Sequence, residues 1–187
     1  EVFFLQCHRE MQRVLVQSGY KVTLEDLSST ARNITAGYQE LREKGLVELS
    51  QRFLNRCLLW SLGITRDDLL ATVDEIMTRR KIENTQLCAQ APETLRGLRS
   101  YGLRIGVLSN STNPLTIHRI LSQAELASFV DAVVVSADVG ICKPAPGIFT
   151  CGGTDMLKKM DGHVTQRRAE AEKLLDGMVT FMNAYRR

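Results

Sequence analysis

The chain has 187 residues, of which 44% are hydrophobic and 24% are charged. This composition is typical of a globular protein that buries a core, and it excludes disordered and collagen-like chains. The formal net charge of +3 gives no case for nucleic-acid binding, and the apolar runs are far shorter than the roughly 20 residues of a membrane span.

The N-terminal residues and the cysteines bear on the compartment. Residues 1–9 lack the basic and apolar segments of a secretory signal. The five cysteines are scattered and never spaced as Cys-x-x-Cys, which favours reduced structural thiols over a disulfide framework or a zinc site. We therefore expect a cytoplasmic protein.

Helix patterns dominate the residues before Arg80. Thr23 with Asp26, and likewise Thr65 with Asp68, have the spacing of a capping box, in which a hydroxyl and a later acid begin a helix. Spacings of three and four predict one apolar helix face made by Leu46, Leu49, Phe53, Cys57 and Trp60. The sequence therefore predicts a group of four helices in this part of the chain.

An α/β pattern begins near Pro92. A proline at the start and Gly102 at the end predict a helix, which an apolar strand over 103–108 follows. A second helix is predicted from Asn113 to about Leu126, and a second apolar strand over 131–136. Apolar strands joined by a helix are typical of a parallel sheet covered on both faces, so the predicted fold class is α/β.

The pattern changes again after residue 150. Apolar residues at spacings of three and four predict one long amphipathic helix over 156–187. This segment holds seven basic and four acidic side chains, so it accounts for the whole net charge of the chain. The pattern favours self-association or the binding of a partner through this helix.

Two loops carry the candidate chemistry, each directly after a predicted strand. Residues 109–112, Ser-Asn-Ser-Thr, offer hydroxyls and backbone amides suited to an anion such as phosphate. Residues 140–146 hold Lys143 in an otherwise uncharged loop with two prolines, where its ammonium is suited to a phosphate or carboxylate. Taken singly, each loop is better explained without a ligand: the first as a polar turn that caps the helix at Asn113, and the second as a loop with a solvated lysine.

Together, the two loops resemble the haloacid dehalogenase superfamily in order and separation. The resemblance rests on Val-Leu-Ser-Asn-Ser over 107–111, Val-Ser-Ala-Asp-Val-Gly over 135–140 and Lys-Pro-Ala-Pro-Gly-Ile-Phe over 143–149. It implies that Ser109 hydrogen-bonds a transferring phosphoryl group, that Asn110 helps to position it, and that Lys143 stabilises its charge.

The resemblance also implies a domain organisation. Residues 1–88 correspond to a helical cap that selects the substrate, 89–150 to a partial Rossmann-like core, and 151–187 to a separate helical tail. The two predicted strands correspond to the second and third of the family core. One edge of the first predicted strand is therefore expected to be unpaired.

Acidic residues that the family uses have no counterpart in this sequence. Members of this type carry Asp-x-Asp, in which the first carboxylate attacks the substrate and both carboxylates help to hold Mg²⁺. The 187 residues contain no Asp-x-Asp. Asp155 and Asp161 follow no apolar strand and do not match the later acidic motif. Mg²⁺ is therefore the cofactor expected for the family, without identifiable ligands in this chain.

The resemblance predicts a hydrolase of small-molecule phosphate esters that is inactive as this chain, because the nucleophile is missing. The predicted partners are a small phosphate ester and, through the 156–187 helix, a copy of the chain or another protein, with no nucleic acid or membrane. The alternatives are dehalogenase chemistry on the same fold, a non-catalytic interaction protein, and a phosphoacceptor receiver domain, which also needs an acidic cluster.

Overall fold

The computed structural model describes residues 2–150. The helix predicted over 156–187 lies outside the described residues, as do Asp155 and Asp161. The described part contains eight α-helices, a short 3₁₀-helix and two strands, which confirms the α/β fold class with a helical majority.

Four helices form the N-terminal part, as predicted. They are α1 (Val2–Gln17), α2 (Leu24–Gly45), α3 (Gln51–Ser61) and α4 (Asp67–Glu83). Their apolar faces enclose one core, in which the largest side chains with almost no exposed surface are Met11, Leu15, Leu27, Leu59, Ile64 and Val73. Burial of each such apolar side chain stabilises the folded state by about 1.5–3 kcal/mol, and together these side chains hold the four helices in contact.

The two predicted capping boxes have different outcomes. Thr23 begins α2 as predicted: its hydroxyl accepts from the Asp26 amide at 3.0 Å, and its own amide donates to the Asp26 carboxylate at 3.1 Å. The prediction at Thr65 is wrong by one residue, because α4 is preceded by Arg66, whose side chain makes no capping hydrogen bond. The guanidinium of Arg66 instead binds the carboxylate of Asp68, which a capping box would have needed.

The apolar face predicted from Leu46 to Trp60 is wrong at both ends. Leu46 has a left-handed φ of 52° and ends α2, while Ser50 begins α3 by accepting from the Phe53 amide at 3.2 Å. The indole of Trp60 is 42% exposed, and the guanidinium of Arg56 lies 5.9 Å from its ring centroid. Residues 46–50 are consequently a linker between α2 and α3.

The α/β part follows the predicted order. The helix α5 (Ala91–Ser100) precedes β1 (Gly106–Ser109), and α6 (Pro114–Gln123) leads through the 3₁₀-helix Ala127–Phe129 to β2 (Ala132–Val135). The strands are parallel, with Gly106 opposite Ala132 and Ser109 opposite Val135. Within the described residues the sheet has only these two strands, so each has an unpaired edge.

The segment after β2 joins the helical part to the sheet. It contains α7 (Ser136–Val139) and α8 (Pro146–Thr150), which bury Val139, Ile141 and Ile148 against Val134 and Leu108. The α2–α3 linker pairs with its middle: Cys142 donates to the Leu46 carbonyl at 2.8 Å, and Glu48 donates to the Gly140 carbonyl at 3.0 Å. The linker thereby reaches the loop that carries Lys143.

No helix in residues 2–150 combines the length and the apolar character that crossing a membrane requires.

Candidate functional site

The structure brings the predicted site residues Ser109, Asn110 and Lys143 together at the carboxyl ends of β1 and β2. All three are half-buried. The Asn110 side chain binds both backbone groups of Lys143: its Oδ1 accepts from the Lys143 amide at 2.8 Å, and its Nδ2 donates to the Lys143 carbonyl at 3.1 Å. Asn110 thus fixes the lysine loop against the end of β1.

The Lys143 ammonium lies at the unpaired edge of β1, where it donates to the Leu108 carbonyl at 2.8 Å. The Ile105 carbonyl accepts from the Asp131 amide, so Ile105 faces the β2 side. Because successive residues of a strand alternate in direction, the Leu108 carbonyl faces the other, unpaired side. An ammonium has three donors, and within residues 2–150 only the Leu108 carbonyl accepts from this one, so two donors remain for an anion beside the strand.

Ser109 directly follows Leu108, whose carbonyl accepts from this ammonium, and the Ser109 hydroxyl makes no hydrogen bond within residues 2–150. The loop after it leads directly into α6, which begins at Pro114. Positive partial charge at a helix start and free hydroxyl and ammonium donors favour an anion at this position.

A second set of polar residues, which no sequence pattern marked as part of a site, lies behind the loop. The Ser111 amide donates to the Ser136 hydroxyl at 2.8 Å, and this hydroxyl lies 2.7 Å from Oε2 of Glu48. The Tyr38 hydroxyl donates to Oε1 of the same carboxylate. Ser136 could have been recognised from the sequence, because it directly follows β2 much as Ser109 ends β1. No local sequence pattern indicated a role for Glu48.

Burial and neighbouring cations act on the charge of Glu48 in opposite directions. Burial raises the pKa of its carboxyl, while the hydrogen bond from Ser136 and the charge of Lys81 oppose that increase. The Arg42 guanidinium lies 3.7 Å from Oε2. Burial in turn lowers the pKa of Lys81, and the charge of Glu48 opposes this decrease.

Helices α3 and α4 also hold the loop after β1. The Gln51 amide at the start of α3 donates to the Thr112 carbonyl at 2.7 Å. The Asn113 side chain donates to the Thr78 hydroxyl of α4 at 2.8 Å. The N-terminal helices therefore bind the candidate loop directly, and a shift of these helices would move it.

Comparison with known proteins identifies the family. The family model described as haloacid dehalogenase-like hydrolase matches residues 16–150, which include helices α2 to α8, both strands and both candidate loops. The chain belongs to the haloacid dehalogenase-like hydrolases. The match covers well over half of the 187 residues, so the predicted family is confirmed.

The other comparisons add less. No curated protein matches this chain. Among solved structures, it is similar to the HAD-hydrolase YfnB of Bacillus subtilis, crystallised in an orthorhombic form bound to magnesium, at 21% identity and a TM-score of 0.46. That similarity covers 79% of this chain and 65% of the YfnB chain, so the chain spans less than two thirds of the length of that relative.

The described residues of this haloacid dehalogenase-like hydrolase do not fit a magnesium site. Residues 2–150 contain no group of three or more His, Cys, Asp or Glu side chains placed to hold a metal ion. Lys143, whose ammonium binds the Leu108 carbonyl at this strand end, is a cation, whereas Mg²⁺ requires oxygen ligands. We therefore derive no step through a metal from these residues.

Proposed function

We propose that this hydrolase binds the phosphoryl group of a small-molecule phosphate ester at the end of β1. One observation carries the proposal: the Lys143 ammonium is anchored on the carbonyl of Leu108, directly before Ser109, and Asn110, directly after Ser109, fixes the lysine loop to this strand end. Lys143 supplies the charge and Ser109 a hydrogen bond, while Asn110 keeps the two loops in register. Membership of a hydrolase family supports ester hydrolysis as the reaction of the completed site.

We further propose that the 187-residue chain does not turn over phosphate esters by itself. A covalent mechanism needs a nucleophile, and the sequence contains no Asp-x-Asp. Acidic metal ligands are also missing from the described part of the site. The chain therefore contributes the phosphate-binding half of the reaction centre.

Titration of the chain with inorganic phosphate tests the binding half of the proposal. Lys143→Gln should weaken phosphate binding by about tenfold or more, because a charge-assisted hydrogen bond is lost. Ser109→Ala should weaken it less. Lys44→Gln is the matched control, since Lys44 is exposed and pairs with Glu40 on α2. Equal affinity in Lys143→Gln and the wild type would overturn the proposal.

An activity assay tests the catalytic half. With Mg²⁺ and p-nitrophenyl phosphate we expect no turnover above background. Robust turnover that Lys143→Ala abolishes would refute the claim of inactivity while supporting the site. Halide release from a small halo-acid, with no action on the phosphate ester, would instead favour the dehalogenase alternative.

A second proposal concerns partners, and it comes from the sequence of the tail. The sustained apolar spacing over 156–187, with seven basic and four acidic side chains, supports association through an amphipathic helix. Deleting 156–187 and measuring the molar mass by light scattering tests this. A monomer both before and after the deletion would count against self-association.

The thiols support a cytoplasmic location as part of the proposal. Cys7, Cys88 and Cys142 form no disulfide within residues 2–150, and Cys7 and Cys142 are buried. Burial raises the pKa of the Cys7 thiol to about 11, so this thiol is unreactive. Unpaired thiols are typical of a reducing compartment. Fractionation of cells that express the tagged protein is the corresponding test.

A further inference from the structure

Glu48 is a carboxylate without exposed surface in the linker between α2 and α3. Buried carboxylates are costly unless their oxygens accept hydrogen bonds, and here both do so. Oε1 accepts from the Tyr38 hydroxyl on α2, and Oε2 lies 2.7 Å from the Ser136 hydroxyl at the end of β2. The proposed phosphate binding does not use this group.

The single hydrogen of the Ser136 hydroxyl determines how this contact acts on the loop. The hydroxyl oxygen accepts from the Ser111 amide at 2.8 Å, and it also lies 3.2 Å from the Ser111 carbonyl. A hydroxyl has one donor, so donation to Glu48 leaves its lone pairs directed toward the Ser111 amide. A carboxylate, which only accepts, enforces that orientation.

Ser111 lies two residues after Ser109, in the loop that the proposed function uses. Its carbonyl also accepts from the Ala137 amide at 3.2 Å, so the loop after β1 is bonded on both sides to the start of α7. Any rotation of the Ser136 hydroxyl would weaken its hydrogen bond with the Ser111 amide, while the hydrogen bond from the Ala137 amide to the Ser111 carbonyl would remain.

We propose that Glu48 is a positioning residue of the phosphate-binding loop: it orients the Ser136 hydroxyl, which fixes the Ser111 amide and with it the placement of Ser109. The effect of this role on ligand binding rests on the proposed phosphate binding. The positioning of the loop itself can be measured without phosphate.

Glu48→Gln in the full chain is the central test, because glutamine has nearly the same shape but replaces one carboxylate oxygen with an NH2 group, which donates hydrogen bonds. The readout is amide hydrogen exchange by NMR, with the Ser111 rate divided by that of Val133 in β2, whose amide lies two residues after that of Asp131 and so also faces β1. We expect this ratio to rise by about tenfold, as for the loss of one hydrogen bond, and phosphate affinity to fall by a similar factor.

Two control variants separate positioning from loss of stability. Tyr38→Phe removes the donor on the other oxygen of Glu48 and should leave the exchange ratio unchanged, although it perturbs the same buried carboxylate. Glu40→Gln makes the same chemical change at an exposed position on α2 and should change neither the ratio nor phosphate affinity. If Glu48→Gln fails to fold, Ser136→Ala replaces it and should raise the ratio equally.

The outcomes distinguish this inference from the proposed function. An unchanged ratio in Glu48→Gln, or an equal rise in Tyr38→Phe, would overturn the positioning role even if phosphate binds. Failure of the wild type to bind inorganic phosphate would overturn the proposed function, and the exchange ratio would still decide whether Glu48 positions the loop.

Discussion

The side-chain amide of Asn110 and the backbone of Lys143 form two hydrogen bonds across 33 residues of sequence, at 2.8 and 3.1 Å. This pair joins the loop after β1 to the loop after β2. The resemblance to the family implied that Asn110 helps to position the phosphoryl group. In the structure its amide fixes the backbone of the residue that carries the positive charge.

Replacing Asn110 should therefore affect both stability and phosphate binding. Asn110→Ala removes two half-buried hydrogen bonds, which predicts a loss of about 1–2 kcal/mol in the free energy of unfolding. Asn110→Asp keeps the acceptor for the Lys143 amide but places a charge against the Lys143 carbonyl and near the bound anion. We expect it to weaken phosphate binding more than Asn110→Ala, as measured by calorimetric titration.

Asn84→Ala is the control for Asn110, because Asn84 also donates to a backbone carbonyl, that of Arg80, at 2.8 Å. It lies at the exposed end of α4 and should leave phosphate binding unchanged. If Asn110→Ala leaves phosphate binding intact as well, the pair with Lys143 does not serve the site.

The two threonines with capping-box spacing give a direct test of helix starts. Thr23→Ala removes the hydroxyl that accepts from Asp26, so it should cost about 1 kcal/mol of unfolding free energy. Thr65→Ala should cost less than about 0.5 kcal/mol, because an exposed residue that forms no cap is replaced. Urea denaturation measures both. Similar losses in the two variants would contradict the assignment of Arg66 as the residue before α4.

These starts illustrate what sequence patterns predict well. Proline and the capping box act through neighbouring backbone groups, so Thr23, Pro92 and Pro114 locate helix starts to within a residue or two. At Thr65 the same pattern failed because Arg66 competes for Asp68, a choice between two local partners that spacing does not resolve. The two apolar runs likewise predicted the parallel strands β1 and β2.

Only the residues that directly follow the two strands could be predicted as part of the site. Ser109, Asn110 and Lys143 follow apolar strands, and strand ends meet at one edge of a parallel sheet. The role of Glu48 depends on Tyr38 and Ser136, which are 10 and 88 residues away. The apolar neighbours Val47 and Leu49 do not indicate whether the glutamate side chain between them is buried or exposed. A contact set by tertiary packing leaves no periodic pattern.

Glu10 should stabilise the N-terminal helices in a pH-dependent way. Burial acts to raise the pKa of its carboxyl, but hydrogen bonds from Arg79 and Arg80 of α4 outweigh this and lower it below the usual 4.5. A lowered folded-state pKa gives stability that is present above the unfolded value and is lost as the pH falls through the folded value. Glu10→Gln should thus lose up to about 1 kcal/mol at neutral pH and nothing in acid.

Denaturant unfolding at several pH values checks the Glu10 prediction. Glu25→Gln serves as the control, since Glu25 forms an exposed pair with Arg32 at 3.1 Å and should change little. A Glu10→Gln deficit that persists unchanged below the folded pKa would show that the loss comes from packing rather than from the ion pairs with α4.

Glu48 should have the opposite pH dependence from Glu10. Burial raises the pKa of its carboxyl above the usual 4.5 against the opposing effects of Ser136 and Lys81, so ionisation costs more in the folded than in the unfolded chain. That cost is absent below the unfolded pKa and complete above the folded one. The stability of the wild type relative to Glu48→Gln should therefore fall as the pH rises through this range. Unfolding in urea between about pH 4 and pH 7.5 measures the difference. A difference that grows with pH would mean that Tyr38, Arg42 and Lys81 stabilise the charge more than burial opposes it.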